Sequence, residues 1–207
     1  MLVSKTPLIL MHLIGLCLSI GPVLLIDCRF IRVLLGAPMT REDVDLVVLL
    51  STWIRLGLAL LWVSGAGFLL FYAAYSPEAL GNPKLHAKLA IVSLLTLNSL
   101  FVERYLFGQL RARAGRTLFA PGDTRQHLAV LLIGAVSATG WYTPLVLGVT
   151  RELNFACPAW MILASYGIAL IGAFGSLRLV TRLARSASDL KLDGLRLSVL
   201  PAAGAVE

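Results

Sequence analysis

The sequence predicts an all-α fold, a polytopic transmembrane bundle of about five helices, and three observations carry that prediction. Hydrophobic residues fill 58% of the 207 positions and charged residues only 14%, with mean hydropathy +0.85, whereas a soluble domain carries about 25% charge. Five apolar runs, at 7–26, 46–75, 85–106, 128–149 and 158–180, approach or exceed the roughly 20 residues that a spanning helix needs. The basic residues are also shared unequally between the connections, as the positive-inside rule requires of a multi-pass membrane protein.

The first run follows Lys5 and resembles the start of a signal peptide. It has spanning length, contains His12 and ends in Asp27-Cys28-Arg29 without a small-x-small cleavage site, so a retained helix is expected. The second run carries Thr52, Trp53 and Arg55 in its first turns, leaving 56–72 as its firmly apolar part. Its Ser64, Gly65 and Gly67, the Gly134 and Ser137 of the fourth run and the Ser165, Ala169, Gly172 and Ser176 stripe of the fifth read as contact surfaces, because small residues let helices approach closely in lipid. Pro144 removes one backbone bond inside the fourth run. A bundle spans 1–182 on this reading, and 183–207 forms a cytoplasmic tail with leucines and charges along the interface and a disordered end at 201–207.

Charge placement sets the orientation. The first loop carries Arg29, Arg32 and Arg41, the third loop Arg104, Arg111, Arg113, Arg116 and Arg125, and the tail Arg178, Arg182, Arg185, Lys191 and Arg196. Against these thirteen stand Lys5, Lys84, Lys88 and Arg151. The N-terminus is therefore expected outside and the C-terminus inside. A net charge of +7 would suggest nucleic acid in a soluble protein, but orientation already accounts for the arginines, and no nucleic-acid partner is expected. Tyr72, Tyr75, Trp141 and Tyr142 fall towards the outer ends as an interfacial belt. Near the inner boundary, Asp27 and Arg55 either form an interhelical ion pair or anchor the interface separately.

Two of the three histidines lie inside spans, where a polar side chain costs a few kcal/mol and marks a functional site. With the first and third helices running the same way, His12 and His86 share the outer half of the membrane, and His127 lies at the other end. On the first helix His12, Gly15, Ser19, Pro22 and Ile26 form a stripe small enough to let a helix or a flat ligand approach the backbone. On the third, His86, Ala90, Ser93 and Leu97 share one face, and Lys88, Val92, Leu95 and Ser99 share nearly the opposite one. If the bundle centre sees His86, Lys88 snorkels to the outer interface. Two imidazoles at one depth suit a b-type haem or a metal ion; simple interhelical hydrogen bonding is the alternative. The cysteines support neither a Cys-x-x-Cys motif nor a zinc site, since Cys17, Cys28 and Cys157 are isolated.

The segment Pro83-Lys84-Leu85-His86-Ala87-Lys88-Leu89-Ala90, read with His12, resembles the third-helix entrance of the bacterial membrane-bound haem-containing protoporphyrinogen oxidases. Copper-resistance D-type membrane proteins belong to the same wider set. The resemblance covers the first three helices. It implies a bundle around haem b with His12 as a ligand and Lys88 needed for catalysis. The chain departs from the oxidases at Asp27-Cys28-Arg29 and at Asn98 and Ser99, and is nearer to the relatives of unassigned function.

The readings that follow are three. The first is a haem-b redox protein of the bacterial inner membrane, with His12 and His86 as ligands, Gly15, Ser19 and Ser93 beside the cofactor, Lys88 near a propionate or substrate, and a quinone or other membrane electron carrier as partner. The second is a metal-ion or small-solute carrier using the same histidines. The third is a scaffold whose histidines only pack, with homodimerisation through the small-residue faces open to any of the three.

Overall fold

The computed structural model describes residues 4–112 and 124–199. The helices are α1 (Thr6–Leu34), α2 (Arg41–Tyr75), α3 (Pro83–Phe101), α4 (Phe107–Ala112), α5 (Thr124–Val149) and α6 (Ala159–Val199), with short 3-10 turns at Pro77–Gly81 and Arg151–Leu153. No strand occurs among the described residues. Five segments are long and apolar enough to cross a membrane: Thr6–Leu34, Arg41–Tyr75, Pro83–Leu106, Arg125–Val149 and Ala159–Ala187. Leu70, Ile168 and Ile171 point outward with more than two thirds of their surface exposed, which suits a lipid-facing bundle and would drive aggregation in water.

Several helices outrun their apolar cores, and local chemistry sets the true ends. α1 passes Asp27 and stops at a Schellman turn: Gly36 takes φ +99°, its N–H donates to Val33 O, and Ala37 N–H donates to Arg32 O. α2 begins five residues before its apolar run because Thr40 and Asp43 form a capping box. Asn82 caps α3 by accepting from Lys84 N–H, with Pro83 at the first position where its missing donor costs nothing. α3 reaches α4 through a π-helical turn at Val102–Leu106. α6 continues without a break through the tail expected to begin at 183, as far as Val199; the expected disordered end at 201–207 lies outside the described residues.

Packing divides the bundle along its length. At one end Val33, Met39, Val44, Val47, Leu110 and Val130 cluster; Val23, Leu58, Leu95 and Trp141 fill the centre; Ala87, Ile91, Leu147, Ile162 and Tyr166 close the other end. Trp141 is therefore a core residue, 5% exposed, and not part of an interfacial belt. It clusters with Val23, Leu58 and Leu95, so its indole fills the centre of the bundle.

α1 and α2 form the tightest pair, an antiparallel hairpin. At Gly15 a Cβ would stand 2.9 Å from Gly57 O and 3.0 Å from Leu60 Cβ, so only glycine permits this backbone approach. Fully buried Ser19 donates to Gly15 O at 3.0 Å within its own helix and lies 3.4 Å from Ile54 O across the seam. α3, α5 and α6 pack on one another as a second group.

Candidate functional site

The helix faces decide which predicted residues meet. On α3, His86, Ala90, Ser93 and Leu97 are all exposed, whereas Lys84, Ala87, Ile91, Leu95 and Asn98 are buried and Lys88 is half-buried beside them. The face carrying Lys88 turns inward, against the expectation that His86 would. The cause is the core stripe: Ala87, Ile91 and Leu95 are the residues that α5 and α6 cover, and His86 and Ser93 project from the other side of the helix.

His12 meets α2 and not α3: its Nδ1 lies 2.8 Å from Ser64 Oγ. Ser64 is fully buried, and its hydroxyl also donates to Leu60 O at 2.7 Å. A hydroxyl has one proton. With that proton on Leu60 O, His12 donates through Nδ1–H and its Nε2 is left as an acceptor. Phe68 holds the ring edge-on, with centroids 5.7 Å apart. Lys5 stands over Phe71 and Tyr72 at 4.8 and 5.3 Å from their centroids, a cation–π contact at the same end.

These residues do not fit a haem clamped between His12 and His86. The first-helix stripe that was to leave room for a flat ligand is filled by α2: Gly15 meets the Gly57 backbone, and Ser19 is sealed in the seam. Gly15 and Ser19 are helix-contact residues, not cofactor neighbours. Among the described residues no three His, Cys, Asp or Glu side chains gather into a metal-ligating group. His127, at the other end, lies 3.5 Å from an Arg185 guanidinium nitrogen.

A second region, which the histidines did not point to, lies towards the α1 C-terminal end. A cavity of about 120 Å³ opens there between α1, α2, the α3 to α4 segment and α5. Its wall is mainly apolar, including Phe30, Leu95, Phe107 and Trp141, with Asp27, Ser51, Arg55, Asn98, Glu103 and Ser137 among it. Arg55 lies on α2 immediately before its firmly apolar part begins at 56. It pairs with Glu103 of the π turn, not with Asp27. Arg29 is likewise taken by Asp43, at 2.8 Å. Asp27 is left facing the Tyr142 hydroxyl, with no ion-pair partner among the described residues. Buried Asn98 donates to Ile133 O at 3.3 Å. Trp62 of α2 donates to Thr96 of α3 at 3.0 Å, and the Arg55–Glu103 pair ties α2 to the π turn that follows α3.

Fold and site together define a multi-pass helical membrane protein with a cavity between its helices that Asp27, Arg55 and Glu103 help to line. No protein-family model, curated protein or solved structure matches the chain.

Proposed function

We propose that the chain binds and carries a small solute within the membrane, with the cavity as its site. The observation that carries this reading is a mainly apolar hollow bearing a few charged and polar groups inside the spans. Ligand sites have that composition, and ionisable groups at membrane depth mark substrate paths. The π turn supports it as well, because such turns recur at functional sites and this one carries Glu103 into the wall. The asymmetry of basic residues supports a bacterial inner membrane with the N-terminus outside.

Solute access is the test. Ser51→Cys, in a background with Cys17, Cys28 and Cys157 replaced by serine, is expected to react with a small water-soluble thiol reagent in vesicles of either orientation. Absence of reaction from both sides overturns the reading.

A further inference from the structure

We infer that the cavity takes a compact organic cation, a protonated amine or quaternary ammonium group with small apolar substituents, and that Asp27 exchanges a proton for it. The inference rests on the solute-binding reading above and names the class of solute.

The charges around the cavity argue for a cation. Its ionisable wall consists of two carboxylates, Asp27 and Glu103, against one guanidinium, Arg55. Arg55 is committed to Glu103, and Arg29, two residues along α1, is committed to Asp43. Asp27 faces Tyr142 of α5, with Cys28 next to it on α1. Neither neighbour brings a positive charge. A bare carboxylate is costly inside a membrane, so two occupants neutralise it: a proton on its own oxygen, or a cation in the cavity.

The rest of the wall selects the kind of cation. Alkali and alkaline-earth ions ask for a shell of six or more oxygens, which a surface of Val23, Ile26, Phe30, Leu95, Phe107 and Trp141 does not offer. An ammonium group with methyl substituents gains from those surfaces instead, because aromatic faces attract cations and apolar walls accept methyl groups. The volume of about 120 Å³ is close to that of an engineered cavity that takes benzene, about 150 Å³, and so admits a tetramethylammonium-sized ion. The exchange balances: the carboxyl O–H of Asp27 breaks, its proton leaves to the aqueous phase, and the carboxylate so formed pairs with the incoming cation. One positive charge enters and one departs.

The test is calorimetric titration of the full chain in detergent with tetramethylammonium, with tert-butanol as neutral probe and acetate as anionic probe. Tetramethylammonium is expected to bind more tightly than either control and to release close to one proton per ion below the titration of Asp27, read from the heat in buffers of different ionisation enthalpy. Asp27→Asn should weaken that binding at least tenfold and abolish the proton release. If that variant does not fold, the wild type decides: tetramethylammonium that binds with the same heat in every buffer, and so releases no proton, overturns the inference. Equal binding of the cation to wild type and Asp27→Asn overturns the inference. Binding of tert-butanol or acetate in place of the cation, lost in Asn98→Leu, also overturns it while leaving the solute-binding reading standing. A cavity that fails the thiol-access test removes both.

Discussion

At the scale of single residues, polar groups in this bundle divide into those that hold helices together and those that hold nothing. Lys84 is only 5% exposed, and its ammonium donates to Thr150 O and to Asn154 Oδ1, tying the start of α3 to the end of α5. Lys84→Met should therefore destabilise the protein by about 1–3 kcal/mol, since it removes both hydrogen bonds of a charged donor; thermal unfolding in detergent measures it. The Tyr166 hydroxyl gives the opposite expectation. It is buried with no hydrogen-bond partner among the described residues, so Tyr166→Phe should leave the midpoint unchanged or raise it. For His12 the sequence offered a ligand role with interhelical hydrogen bonding as the alternative, and the imidazole does lie 2.8 Å from Ser64 Oγ of the neighbouring helix. The sequence misread His86 because two histidines at one depth say nothing about azimuth. The deciding residues were the small and branched ones between them, Ala87 and Ile91, which set the buried face. Arg55 and Asp27 were noticed as charges near a boundary, but their partners lie 48 and 115 positions away along the chain, and no local pattern selects Glu103 or Tyr142.

At the scale of elements, helix number and approximate position were legible, because apolar length is a one-dimensional property of the chain. The ends were not, because capping residues lie outside the apolar runs: Thr40 with Asp43 extends α2, and Gly36 closes α1. Thr40→Ala should cost about 1 kcal/mol by removing the cap, a modest loss that spares the membrane-embedded part. A much larger effect is expected at the α1–α2 seam. A side chain at Gly57 would collide with Ser19 and the Gly15 carbonyl, so Gly57→Val should destabilise by about 1–3 kcal/mol or more through overpacking. Ser19→Ala should restore only part of that loss, because the Gly15 carbonyl stays in place. Thermal unfolding of the single and double variants separates the two contributions. The small-residue stripe was thus correctly read as permitting close approach, and of the two occupants it allowed, a helix or a flat ligand, the helix took the place.

At the scale of the whole molecule, composition alone was enough for the class, since a chain with so little charge and five spanning runs has few other ways to satisfy its backbone. Orientation is tested by labelling intact cells. A cysteine at Ser4, in the background lacking Cys17, Cys28 and Cys157, should react with an impermeant reagent, and one placed at Glu207 should react only after the membrane is opened. The cavity arises from contributions of α1, α2, α3 and α5 together, a product of tertiary arrangement that no single run of sequence displays. The backbone contact between Gly15 and Gly57 has a mechanical side. Two helices touching main chain to main chain cannot slide or part without breaking the hairpin, so α1 and α2 behave as one stiff lever. Any widening of the cavity falls to α3 and α5 swinging away from that lever, and the π turn carrying Glu103 sits at the joint.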